Sequence, residues 1–292
     1  MKKPVKLLLF AVLIITILSL LSSGNKSNGA SPDTIKIASF NIQIFGKTKA
    51  SKQEVMDILA QIIREFDIVA IQEIRDISGT AIIALKDEVT ANGRAYDVRV
   101  GPRVGRTSSK EQYAYMYDTL TIEALSNYYT YDDVGDLFER EPFVAQFKVK
   151  SAKFDFVLIN IHTKPDDATV EIELLPEVIA DVHSHIKEPD VICLGDFNAD
   201  GSYYDENTST TVFPSDQYNW LIDNSEDTTV AVSDNTYDRI VTTLSTDEDF
   251  TGTVDVYRFD HIYDFSSPTL EPANVSDHYP IVVEFFTNKD TN

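Results

Sequence analysis

Along residues 35–42 apolar and polar positions alternate, the period of a half-buried strand, and the run ends in Asn41-Ile42-Gln43. Over residues 51–65 the period changes, and Val55, Ile58, Leu59 and Ile62 fall on one face of a helix. A short apolar strand over 67–71 runs into Gln72-Glu73, and residues 113–117, 143–149, 154–161 and 280–286 read as further strands. Residues 169–186 carry helical spacing, with Pro176 either bending the helix or marking a later start. The apolar run that begins after Asp190 reads as a core strand delivering Gly195-Asp196-Phe197-Asn198 into a turn. Strands come both as neighbouring pairs and separated by helices, so one mixed sheet or two are predicted. Residues 247–255 read as an acidic loop and 287–292 as a frayed tail. No repeat or internal linker interrupts the pattern.

The N-terminal segment stands apart. Met1-Lys2-Lys3, an apolar run over 7–21 and a Ser-, Gly- and Asn-rich exit form the pattern of a secretory signal over residues 1–30. A retained membrane anchor is the alternative, although the run is short for a span. No cysteine follows it, so no lipid anchor is expected. The chain is expected outside the cell, on the membrane only if the leader stays, and residues 31–292 are expected to form one catalytic domain. The single cysteine, Cys193, lies inside a predicted core strand and reads as an apolar filler.

Net charge is −22. Such an acidic balance lacks the basic footprint usual in nucleic-acid binding. One segment breaks the trend: Arg94, Arg99, Arg103, Arg106 and Lys110 lie close together in sequence. They read either as a solvated strand-and-loop face or as a local ridge that contacts phosphates.

Chemistry gathers at the predicted strand ends. Asn41, Glu73, His162, the Asp196/Asn198 pair, Asp238 and Asp277-His278 each follow or precede a strand. Taken singly, each suits a turn, a cap or an ion pair. Together they hold carboxylates, amides and two imidazoles, an inventory suited to phosphoester chemistry. Hard oxygen ligands hold a divalent metal, and imidazoles trade protons near neutral pH.

These residues carry a resemblance. Ser39-Phe40-Asn41, Gln72-Glu73, Gly195-Asp196-Phe197-Asn198 and Ser276-Asp277-His278-Tyr279-Pro280 resemble the motifs of the endonuclease/exonuclease/phosphatase superfamily. Gln72-Glu73-Ile74-Arg75-Asp76, Arg140-Glu141-Pro142-Phe143 and Tyr237-Asp238-Arg239-Ile240 narrow it to the deoxyribonuclease I family. The resemblance implies an α/β four-layer sandwich, with two packed mixed β-sheets flanked by helices. It implies endonucleolytic hydrolysis of DNA with Mg²⁺ or Mn²⁺, leaving 5′-phosphate ends; the chain is expected to act as a monomer. Glu73 would ligate the metal, with Asn41 and Asp277 nearby. Asp196 would orient the attacking water or the metal, and Asn198 would hold a phosphate oxygen. His278 pairs with Asp238 and His162 with Glu111 as general base and general acid; which is which stays open, with His278 preferred as base. Arg75, Arg106 and Arg140 would contact backbone phosphates without reading sequence.

The departures matter too. The family's usual disulfide positions hold Gly201 and Asn235, and the loop over 131–139 lacks a second disulfide. A structural Ca²⁺ loop would use Asp227 and Thr229, but Ala231 stands at a Thr-type ligand position. Rival readings are another phosphoesterase of the superfamily, such as a sphingomyelinase or phosphoinositide phosphatase, and a catalytically silent binding or toxin-like subunit.

Overall fold

A computed structural model describes residues 32–292; the leader expected over 1–30 lies outside the described residues. Two six-stranded mixed sheets pack face to face. The first contains β1 (Thr34–Phe45), β2 (Ile68–Ile74), β3 (Tyr96–Val100), β4 (Gln112–Asp118), β11 (Phe250–Val256) and β12 (Ile281–Phe286), ordered β11-β12-β1-β2-β4-β3. The second holds β5 (Ile122–Thr130), β6 (Phe143–Val149), β7 (Asp155–His162), β8 (Val191–Asp196), β9 (Tyr218–Trp220) and β10 (Asp238–Thr243), ordered β5-β6-β7-β8-β10-β9. The helices are α1 (Lys47–Ala50), α2 (Gln53–Ile63), α3 (Thr80–Thr90), α4 (Ala168–His185), α5 (Ser209–Val212) and α6 (Pro272–Val275). This is the expected sandwich.

The alternation of β7 and β8 explains the layering. Phe156, Leu158, Ile192 and Leu194 point into the core between the sheets, while Val157, Ile159, Ile161, Val191 and Cys193 pack with α4 on the other face. Cys193 is buried and free, as an apolar filler would be. On the far side, α2 and α3 bury Val55, Leu59, Ile62, Ile82 and Leu85 in the larger core. Helix α4 starts at Ala168 and runs on through Pro176, which rules out the later start.

Each sheet has one parallel pair, β1 with β2 and β7 with β8. A parallel pair needs a crossover, which α2 and α4 supply, and its carboxyl ends are the usual ligand crevice of such sheets. Gln72 and Asn160 link the two pairs across the core: Gln72 Nε2 donates to Asn160 Oδ1 at 2.7 Å.

Two expectations need correction. Residues 247–255 form a short 3₁₀ turn and edge strand β11, not an acidic loop. Its exposed side chains leave little periodic signal, because an edge strand is covered on fewer sides. The tail over 287–292 is docked: Thr287 and Asp290 are buried, and the Thr287 carbonyl accepts from the Lys153 and Phe154 amides. Of the two readings of the basic cluster, the structure lacks the single ridge. Arg94 donates to the Arg64 carbonyl, Arg99 to that of Leu125 on the other sheet, and Arg103 to those of Arg75 and Lys110.

Candidate active site

The site lies where both parallel pairs end, and the backbone there is bent. Registers of β1 against β2 and of β2 against β4 shift at this point. Gln43, Ile44, Glu73 and Asn198 all adopt positive φ, between 43° and 62°. Non-glycine residues held there store strain, which collects where a site demands a fixed geometry. The bend turns Glu73 back toward Asn41: Asn41 Nδ2 donates to Glu73 Oε1 at 3.3 Å, and the Ile44 amide donates to Oε2 at 2.8 Å. Lys49 braces the bulge through the Ile42 and Gln43 carbonyls, both at 2.9 Å. Burial lowers its pKa to about 8 although Asp277 and Glu73 favour the charge. No sequence motif marks Lys49.

Asp196 is the centre. Its Oδ2 lies 3.5 Å from Nε2 of both His162 and His278, and it accepts from Asn41 Nδ2 at 3.0 Å. Each imidazole is anchored from behind: His162 Nδ1 to Glu111 Oε1 and His278 Nδ1 to Asp238 Oδ2, both at 2.7 Å. The two pairings expected from sequence therefore exist, and they face one another across one carboxylate. Burial opposes charge on both rings, but the flanking carboxylates outweigh it and raise both pKa values, Glu111 and Asp196 for His162, Asp238 and Asp196 for His278. Burial would raise Asp196, yet the two imidazoles and Asn41 hold it below the usual carboxylate range.

Asn198 turns out of the strand, its amide N–H capping Asp196 Oδ1 at 3.1 Å and its Nδ2 donating to the Thr163 carbonyl. Phe197 points the other way, into the α4 core. Asp277 is half exposed at the rim, its Oδ1 3.9 Å from His278 Nε2. Arg75 lies between Glu73 (3.2 Å) and Glu111 (3.7 Å) and keeps part of its side chain in solvent.

Two arginines differ from expectation. Arg140 is buried, and its Nε and Nη2 donate to the His162 and Thr163 carbonyls at 2.9 and 2.8 Å, with Glu111 Oε1 at 2.8 Å. It positions the His162 dyad rather than reaching out to a phosphate, because a buried guanidinium must satisfy its own donors first. Arg106 is tied to Glu139 and the Asp136 carbonyl, which ties down the loop where a disulfide was absent. Sequence reading also missed Tyr113, whose hydroxyl accepts from the His162 amide at 2.9 Å, and Glu171, whose carboxylate accepts from the Glu139 and Lys164 amides.

A metal would need hard oxygens with free lone pairs. Glu73, Asn41 and Asp277 supply oxygen donors, and Asp277 Oδ1 is buried without a hydrogen bond. Asp196, Asp238 and His278 also cluster closely enough for an ion; His278 Nδ1 and Asp238 Oδ2 are engaged with one another, whereas Asp238 Oδ1 is buried without a hydrogen bond. The calcium loop does not fit its ion. Asp227 Oδ1 accepts from the Thr229 amide and hydroxyl, and Oδ2 faces the Arg258 guanidinium at 3.6 Å. A built-in cation stands beside that carboxylate, and Ala231 brings no side-chain ligand. Gly201 and Asn235 are neighbours: a Cβ at Gly201 would lie 3.4 Å from Asn235 Oδ1.

Residues 38–278 match the Endonuclease/Exonuclease/phosphatase family model. Human "Deoxyribonuclease-1-like 1" is 36% identical over 264 residues, covering 88% of this chain and 86% of the relative. Mouse "Deoxyribonuclease gamma" and bovine "Deoxyribonuclease-1" are each 35% identical over 261 residues, covering 85% and 86% of this chain and 83% and 92% of the relatives. Among solved structures, an endonuclease/exonuclease/phosphatase from Bacteroides vulgatus superposes with TM-score 0.62 at 18% identity, covering 88% of this chain and all of that one. The human Nocturnin catalytic domain gives 0.60 at 15%, covering 88% and 94%. At such identities these structures speak to the fold alone.

Proposed function

The chain belongs to the endonuclease/exonuclease/phosphatase family, and from that premise we propose that it is an exported, divalent-metal-dependent endonuclease of DNA. It cleaves with little sequence preference and leaves 5′-phosphate ends. The observation that carries this reading is the pair of carboxylate–imidazole dyads facing each other across Asp196. One ring can take a proton from the attacking water while the other gives one to the leaving 3′ oxygen. Relatives that carry deoxyribonuclease in their names support DNA as the substrate over a phospholipid or a phosphoinositide.

Glu73, with Asn41 and Asp277, would hold Mg²⁺ or Mn²⁺, which neutralises charge on the phosphate and its transition state. Asp196 orients the water between the rings, and Asn198 sits at hand for a phosphate oxygen. Arg75, still partly exposed, is the arginine best placed for the backbone. Nicking of supercoiled plasmid should stop in EDTA and return with Mg²⁺ or Mn²⁺. Glu73→Gln should cost about 3 kcal/mol of transition-state stabilisation, about a hundredfold in rate. Metal-independent nicking, or release of phosphocholine or inorganic phosphate instead of nicked DNA, would sink the reading.

The dyads also set a pH response. We assign His162 as the acid. The flanking carboxylates raise both rings above the ordinary value of about 6.5, so the shift does not choose between them. An acid must be protonated, and for His162 it is the Glu111 carboxylate that keeps it so. Activity should therefore hold up to that raised value and fall as pH rises through it. Removing the carboxylate in Glu111→Gln should move this alkaline limb to lower pH. His162→Ala should keep more activity on a nitrophenyl phosphodiester, whose leaving group needs no proton, than on DNA. An unmoved limb together with equal losses on both substrates would reverse the assignment.

A further inference from the structure

A second group of carboxylates lies far from the catalytic rim. Asp190 precedes β8 and Asp196 ends it, so about 20 Å of strand separates the two places. Asp249 sits just before edge strand β11 of the other sheet, and Asp290 lies in the docked tail. Ligand-capable oxygens of Asp190, Asp249 and Asp290 all lie within 4.8 Å of one another. That spacing suits one ion with Ca–O bonds of about 2.3–2.6 Å, whose ligands stand at most about 5 Å apart.

Acidic clusters are common, but this one is buried and unsatisfied. Asp190 and Asp249 are 0% exposed and Asp290 4%. Neither oxygen of Asp249, nor Oδ1 of Asp190, makes a hydrogen bond of normal geometry. Other contacts are weak or local: Asn292 Nδ2 to Asp190 Oδ2 at 3.4 Å, the Asn292 amide to Asp290 Oδ1 at 2.9 Å, the Asp155 amide to Asp290 Oδ2 at 3.5 Å, the Ser245 hydroxyl turned toward Asp190 and the Asp290 amide toward Asp249. Lys153, the lysine that reaches this corner, directs Nζ to the Asp290 carbonyl oxygen. Buried carboxylates this close need either protons or a cation, since native structures rarely leave buried acceptors unmet. Burial, with Asp290 and Asp190 as neighbours, pushes Asp249 up to about 7, the mark of carboxylates crowded together out of water.

We propose that Asp190, Asp249 and Asp290 form a structural site for a calcium-class divalent cation that ties the C-terminal tail to both sheets. All three donors are hard oxygens on separate segments, and one of them is a short tail able to adjust, which suits calcium's flexible coordination better than the strict octahedron of magnesium. The site stands independently of what the rim cleaves, and the Asp227 loop already has its arginine.

The test is calcium titration of the chelator-treated full chain at pH 8, read by calorimetric stoichiometry and by thermal unfolding. Calcium at about a hundred times Kd should raise Tm by about 5–10 °C. Asp249→Asn and Asp290→Asn should each remove one bound equivalent and abolish the rise, while Asp227→Asn and Glu73→Gln keep it. Two isosteric variants guard against one failing to fold. The proposal is overturned if the native chain binds no calcium at this cluster, if the rise survives in both cluster variants, or if it vanishes only in Asp227→Asn or Glu73→Gln.

Discussion

His278→Ala should slow metal-supported nicking of plasmid DNA by about 10²–10⁴-fold, the usual worth of a positioned acid or base. The ring is held by Asp238 at 2.7 Å and stands 3.5 Å from Asp196, so its removal takes away one proton carrier and frees Asp196 on one side. Asp238→Asn should be damaging too, because an amide holds the wrong ring nitrogen and cannot stabilise imidazolium. If the two act as a unit, the double variant loses no more than His278→Ala alone. Truncation leaves the Asp238 carboxylate buried without its partner, so some stability is lost as well. Rates must therefore be compared below the variant's own unfolding transition. Unchanged nicking by His278→Ala with metal supplied would dismantle the proposed chemistry.

The central strands were legible because they are buried in a regular pattern. β1, β2, β7 and β8 lie inside their sheets, so the period of their apolar residues is forced by packing on both faces. Edge elements were not. β11 and β5 expose many of their side chains, three-residue β9 is half-buried throughout, and their sequences carry little period. Helix α3 buries Ala81, Ile82, Leu85 and Val89 and could have been found from that spacing. In the site, the dyad partners came from a family resemblance, since nothing local in Glu111 points to His162, 51 positions away. The bulges at Gln43, Ile44 and Glu73 had no signal, because none of these residues is a glycine. Nearness in sequence left two readings open for the basic cluster: Arg94 and Arg99 serve different corners, and only the fold reveals which carbonyls they meet.

Gly195→Ala should be among the most destabilising single-methyl changes in the chain. β7 and β8 pair in parallel with Ile161 opposite Gly195 and His162 opposite Asp196. Gly195 has φ +154°, and a Cβ there would stand 1.9 Å from the Ile161 carbonyl oxygen. That contact is backbone against backbone, so no side-chain rotation relieves it. Strain and overpacking together should cost about 3–6 kcal/mol, or a Tm lower by about 10 °C or more. Gly46→Ala is the control, since nothing lies within 4 Å of its Cβ and its φ is −137°. It should shift Tm by less than about 2 °C. The same clash reaches the chemistry, because pushing the strands apart lengthens the 3.5 Å approach of His162 Nε2 to Asp196. Nicking by Gly195→Ala should thus be slow even well below its Tm. Melting curves that coincide for the two alanine variants would mean that the strands can part cheaply. The missing side chain at Gly195 would then not be what lets the His162 dyad reach the centre of the site.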